Sequence, residues 1–179
     1  VSACDKNITW HHHINPLLRE LYRRHGRELN FTGVVLTNEP VRLTAKEASQ
    51  GEKINGGTVY IAPGDWHMLI ESKGGDRYLH LEQSEPENFC RPAVDPMFRS
   101  IVKAYGRKIL ACVLTGMGAD GAKGGKVVAE AGGTVIAQDE ASSVVWGMPG
   151  ATAQAGICSA VLPIDEIGSY IQKFATRRV

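Results

Sequence analysis

Residues 115–125 read "TGMGADGAKGG", directly after the apolar run "ILACVL" (109–114) and before "KVVAEAGG". An apolar strand that ends in a glycine-rich turn and opens a helix offers backbone N–H groups at the carboxyl edge of a sheet, where α/β sites gather. Two readings suit such a turn. Gly116, Gly118 and Gly121 spell G-x-G-x-x-G, and Asp139 and Glu140 follow about where a ribose-binding carboxylate belongs, roughly 20 residues on. That is the pattern of a dinucleotide site. Asp120 counts against it, because a carboxylate placed a few ångströms from a phosphate costs several kcal/mol unless screened. The plainer reading gives Asp120 no chemistry at all and makes it a solvated capping residue in a tight strand-to-helix turn.

The elements that must position this loop are legible on either side of it. "DPMFRSIVKAYG" (95–106) reads as a helix with Asp95 at its cap, Pro96 in its first turn and Gly106 at its end. From there strand and helix alternate: "KILACVLTG", "GAKGGKVVAEAGG", "TVIAQ", a loop, and the closing helix "IDEIGSYIQKFA". Earlier, "INPLLRELYRRHG" (14–26) sets Leu17, Leu18, Leu21 and Tyr22 on one helical face, and "GVVLT" (33–37) and "VRLTAKEA" (41–48) read as short strands. "GGTVYIAPGDWHMLIES" (56–72) is two strand pieces broken by Pro63, Gly64 and Asp65, and "RYLHLEQ" alternates as a half-exposed strand. The order predicts an α/β domain, a mostly parallel sheet flanked by helices, with an antiparallel hairpin insertion around 56–83.

Composition narrows the class of partner. The 179 residues suit a single domain spanning 1–179, and 43% hydrophobic content is enough for one core. A net charge of +1, from 20 basic and 19 acidic residues, gives no reason to expect nucleic acid. No apolar run approaches the roughly 18 residues of a membrane span, so membrane insertion is not expected, and the cytoplasm is the expected compartment. Cys4, Cys90, Cys112 and Cys158 are scattered without a metal-binding spacing, and Cys112 inside its apolar run reads as a buried hydrophobe. Neither a metal nor a cofactor is expected.

The words "VYIAPGDWHM" (59–68), "RPAVDPMFRSI" (91–101), "LTGMGADGAKG" (114–124) and "AQDEASSVVWGMPGATAQAG" (137–156), in this order and spacing, resemble the catalytic domain of the chemotaxis receptor methylesterases of the CheB type. The likeness runs from about Lys46 to Lys173. The resemblance implies a doubly wound α/β domain that hydrolyses glutamate methyl esters on chemotaxis receptors through a Ser-His-Asp triad, with glutamine deamidation through the same acyl-enzyme. It makes Asp120 the triad carboxylate, expected as a loop side chain at the mouth of the sheet that contributes little to the core. It gives the backbone N–H of Met117 to the oxyanion, with Gly116 and Gly118 shaping the turn.

The first 45 residues depart from the family pattern. Its nucleophile lies in a G-A-S-T-G-G type turn and its histidine in a Q-H-M-P segment, and neither occurs here. Ser2, or Cys4 in "VSACDKN", stands where a first strand would end, and His25 falls near the family's usual separation from Asp120. These are the expected nucleophile and base. The blander readings are an unstructured terminus for Ser2 and Cys4 and a helix-capping cation for His25 in "YRRHGREL". His11, His12 and His13 form a short solvated run or a weak metal cluster, and His67 in "PGDWHM" is expected to support structure. Nothing resembles the receiver domain that members of the family usually carry, so such a domain would belong to a longer chain or to a separate protein. Besides the esterase, two alternatives stand: a catalytically silent module that keeps a receptor- or partner-docking surface, and the dinucleotide-binding domain.

Overall fold

A computed structural model of the chain describes residues 33–36 and 44–176. Eight strands are described: β1 Gly33–Leu36, β2 Thr44–Glu47, β3 Thr58–Ile61, β4 His67–Lys73, β5 Asp76–Glu82, β6 Leu110–Val113, β7 Thr134–Gln138 and β8 Ala160–Leu162. Four helices accompany them: α1 Val94–Tyr105, α2 Ala122–Glu130, α3 Met148–Gln154 and α4 Ile164–Thr176. The helix expected around 14–26 lies outside the described residues.

The second half is a run of βα units. Strands β6, β7 and β8 lie in that order, all parallel, with Cys112 opposite Ile136 and Ile136 opposite Ala160. Parallel neighbours need a crossover, and α2 and α3 supply the two that join them. Because helices cover a parallel sheet, β7 is a continuous apolar run, and Val135, Ile136 and Ala137 are fully buried. This is the expected mixed α/β architecture. The sequence treated 139–163 as loop, whereas α3 and β8 form there; both are short, and Gly147, Pro149 and Gly150 hide a helix start behind turn-like letters.

The antiparallel insertion is narrower than expected. Strands β4 and β5 form the hairpin, with Leu69 opposite His80, closed by Gly74 and Gly75, both at positive φ. Strand β3 leaves it and pairs parallel with β2 and antiparallel with β1. Helix α1 packs across β4, and the Ser100 hydroxyl accepts the Ile70 N–H at 3.0 Å while donating to the Met97 carbonyl at 2.7 Å. Tyr60, Met68, Leu79, Phe98, Val128 and Val135 meet in the same apolar cluster. Each such side chain contributes about 1.5–3 kcal/mol on burial, so this cluster fixes α1 and α2 before any polar contact is counted.

Cys112 follows its strand. Burial pushes its thiol up to about 12, with the neighbouring Cys158 thiol adding to the effect. At pH 8 its thiolate fraction is then about 10⁻⁴, and although the residue is only half-buried, residue-resolved labelling with a disulfide reagent should modify Cys112 far more slowly in the folded protein than in the denatured chain. Rapid labelling of native Cys112 would contradict this placement.

Candidate active site

Asp120 is 5% exposed, and both of its oxygens are used. Oδ2 accepts the Val94 N–H at 2.6 Å, and Oδ1 accepts the Asp95 N–H at 3.1 Å, the Gly121 N–H at 3.1 Å and the Asn88 amide at 2.8 Å. Two of these donors are the first amides of α1, which have no partner inside their own helix. Asp95 returns the arrangement: its Oδ1 accepts the Gly121 N–H at 3.0 Å and the Gly124 N–H at 2.6 Å, at the start of α2. The two helix starts therefore cap each other with exchanged carboxylates.

This corrects two expectations. Asp95 does not cap its own helix; α1 starts one residue earlier, at Val94, behind an Ala93 cap with no side-chain bond. It can start there because Asp120 satisfies those amides from another loop. Nor is Asp120 a solvent-facing loop residue of little structural weight. Burial pushes its carboxyl above the ordinary carboxylate range, the Val94 and Asp95 N–H groups pull it back, Asp95 raises it further and Asn88 lowers it. A carboxyl held high in the folded state stabilises the fold fully below its unfolded pKa, and that contribution is lost as the pH rises through the folded one. Ionised Asp120 thus sits in the fold at a net cost.

A second loop clamps the glycine turn from the other side. The Thr115 hydroxyl donates to the Val145 carbonyl at 3.0 Å and accepts the Val145 N–H at 2.8 Å, while Gly116 donates its N–H to the Val145 carbonyl at 3.1 Å. The Gly116 carbonyl accepts the Met148 N–H at 2.8 Å. Buried Gln138 joins the two loops, accepting the Thr115 N–H at 2.9 Å and donating to the Ser142 carbonyl at 2.7 Å. A Cβ on Gly147 would stand 2.7 Å from the Gly116 carbonyl oxygen and 2.8 Å from the Gly118 nitrogen, so the approach of the loops requires glycine there. Met117, 59% exposed, crowns the turn, and its N–H bonds to no group among the described residues. A rigid turn with an open donor beside a buried carboxylate is the geometry an oxyanion would use.

Helices α1 and α2 also meet at a glycine. A Cβ on Gly124 would lie 2.8 Å from the Phe98 Cβ and 2.9 Å from the Asp95 Cα. Gly124→Ala should therefore destabilise the fold by about 1–3 kcal/mol, despite the better helix propensity of alanine. A urea midpoint at or above the parental one would contradict this close approach.

Ser2, Cys4, His11, His12, His13 and His25 lie outside the described residues. His67 is 1% exposed; its Nδ1 accepts the Ala93 N–H at 3.1 Å, so its Nε2 carries the proton and donates to the Glu85 carbonyl at 3.1 Å. Both nitrogens are committed, and His67 is a structural residue beside the start of α1. His80 lies on the hairpin and meets Gln50 at 3.2 Å. Neither histidine bonds Asp120. Among the described residues no group of His, Cys, Asp and Glu could hold a metal, and no helix is long and apolar enough to cross a membrane.

The dinucleotide reading is overturned by the loop itself. The Gly121 and Gly124 amides that would receive a pyrophosphate already hold the Asp95 carboxylate. Asp139, the expected ribose ligand, instead accepts the Ser142 N–H at 3.0 Å and the Ser142 hydroxyl. Sequence reasoning missed Asn88, Asp95 and Gln138 as site-building residues. A tight "EPENFC" turn was the available signal for Asn88, since asparagine tolerates left-handed backbone.

Comparison with known proteins agrees with this geometry. The family model described as "CheB methylesterase" matches residues 29–171. The chain belongs to the CheB methylesterase family. The "Protein-glutamate methylesterase/protein-glutamine glutaminase 1" of Paramagnetospirillum magneticum is 69% identical over 134 residues, covering 75% of this chain and 35% of the relative. Its namesake in Rhodospirillum rubrum is 66% identical over 132 residues, covering 74% and 34%. The chain thus spans about a third of the length of the curated relatives it matches. The crystal structure of the Thermotoga maritima CheB methylesterase catalytic domain is similar with a TM-score of 0.71 and 42% identity, over 74% of this chain and 69% of that one. A second model, described as "Glycine/sarcosine/betaine reductase component B subunits", matches residues 1–54 and does not reach the glycine turn.

Proposed function

We propose that the chain is a hydrolase of the CheB type that removes methyl esters from glutamate side chains of chemotaxis receptors and deamidates glutamine through the same acyl-enzyme. The observation that carries this is Asp120: a buried carboxylate fixed by the first amides of α1, in the family's glycine turn, next to the open N–H of Met117. Among the described residues its Oδ1 takes three donors, whereas Oδ2 accepts only from Val94, so the remaining acceptor capacity lies on Oδ2. A histidine donating there would be held in the tautomer whose other nitrogen can take a proton.

In that mechanism a nucleophile oxygen or sulfur attacks the ester carbonyl as the histidine takes its proton. The oxyanion rests on the Met117 N–H, methanol leaves with the proton, and water hydrolyses the acyl-enzyme to the glutamate carboxylate. His25 is the candidate base and Ser2, or Cys4, the candidate nucleophile, within one methylesterase-type domain acting in the cytoplasm on the receptor's cytoplasmic side. No cofactor or metal is needed for these steps, and a receiver domain is the regulator expected from the family resemblance.

Incubation with chemoreceptor membranes carrying labelled methyl esters should release labelled methanol. No release above a blank, from protein shown to be folded, would defeat the esterase and favour a silent docking module instead.

A further inference from the structure

Asn88 is used by neither the family resemblance nor the mechanism above, yet it stands at the junction of everything that holds Asp120. Its Nδ2 lies 2.8 Å from the Asp120 Oδ1 and 2.9 Å from the Asp95 Oδ2. Both neighbours are acceptors, so the amide must present its NH2 face, and its two hydrogens go one to each carboxylate. Asp95 is completely buried and Asp120 nearly so, and without a donor between them their charges oppose each other.

The backbone under Asn88 is built for this task. Asn88 and Phe89 are the middle residues of a tight turn between Glu87 and Cys90, both at positive φ, 54° and 65°. Asparagine visits that region readily; phenylalanine does so at a cost. The turn is closed by paired backbone bonds between Glu87 and Cys90 at 3.1 and 3.0 Å, and Glu87 ties it to Arg99 on α1 through two bonds of 2.7 and 2.6 Å. That bond holds the Glu87 carboxyl below the ordinary carboxylate range. Phe89 itself is wholly exposed. The left-handed conformation thus serves to turn the Asn88 side chain inward.

We propose that Asn88 is a positioning residue for the triad carboxylate: by bridging Asp120 and Asp95 it fixes the Asp120 Oδ1 and leaves Oδ2 aimed for the base. This rests on the esterase reading for its catalytic part and on geometry alone for its structural part.

Asn88→Gly tests it, because glycine keeps the left-handed turn and removes only the amide. Phe89→Gly, in the same turn and without contact to Asp120, is the control. Carbon-detected NMR of the Asp120 side chain, assigned with Asp120→Asn, should show its carboxyl titrating at higher pH in Asn88→Gly and unchanged in Phe89→Gly. Hydrolysis of a methylated receptor peptide should lose about 10- to 100-fold in kcat with KM little changed, the loss expected for one hydrogen bond to a charged group. An Asp120 titration that does not move, or a kcat within twofold of the parent, would overturn the assignment. If the parent hydrolyses no ester and the titration still moves, the esterase reading fails while the bridge from Asn88 to Asp120 stands.

Discussion

Asp120→Asn is expected to lower ester hydrolysis by roughly 10³- to 10⁴-fold, the loss that follows when a triad base is left in the wrong tautomer. It should also weaken the fold. Every oxygen of Asp120 receives an N–H, so an amide in its place must turn its own NH2 toward Val94 or toward the group around Oδ1. One clash between donors, partly offset by removing an ionised group that burial disfavours, leaves a cost of about 1–2 kcal/mol. The two effects separate in measurement: kcat on a methylated receptor peptide reports the tautomer, and the urea midpoint reports the cap. Near-parental turnover in a folded Asp120→Asn protein would remove Asp120 from the mechanism and leave it a capping residue alone.

Asp95→Ala should weaken the fold more than Asp120→Asn does. The Gly124 amide would face a buried apolar gap, the Gly121 amide would keep only its 3.1 Å bond to Asp120, and Asn88 would lose one acceptor. One orphaned donor at about 1–3 kcal/mol, with the weakened hold on Gly121 roughly offset by relief of the repulsion with Asp120, amounts to about 1–3 kcal/mol. Chemical denaturation decides this, and a loss below about 0.5 kcal/mol would mean that water satisfies those amides as well as the carboxylate does. Asp95→Asn retains one oxygen for the α2 amides and should fall between the parent and the alanine variant.

The glycine turn, the strand before it and the helix after it were legible in sequence because each carries a local signal: an apolar run, glycines at set spacing, an amphipathic period. The family likeness of "LTGMGADGAKG" with "AQDEASSVVWGMPGATAQAG" is equally local. What sequence could not supply was which loop satisfies which helix. Asp95 and Asp120 each occupy a position that looks like a cap for the adjacent helix, but they are exchanged, and only the packing of α1 against α2 brings the far amides within reach. Gln138 was hidden for the same reason: it ends an apolar strand, and its role is the Thr115 amide, 23 positions away in the chain. Helix α3 was missed because its glycines and proline, needed for the close approach to Gly116 and the turn into the helix, are the letters of a loop.

The most direct test follows from Asp120 Oδ2, which among the described residues accepts from Val94 alone. The chain has six histidines, of which His67 and His80 are bonded elsewhere, so a histidine on Asp120 must come from among His11, His12, His13 and His25. A carboxylate beside an imidazolium favours its charged form, so removing that carboxylate lowers the imidazole pKa. NMR titration of all six ring signals in the parent and in Asp120→Asn should show one of those four, His25 by its separation in the chain, shifting to lower pH in the variant while the others superimpose. Six superimposable titrations would contradict the account, because Asp120 would then orient no base.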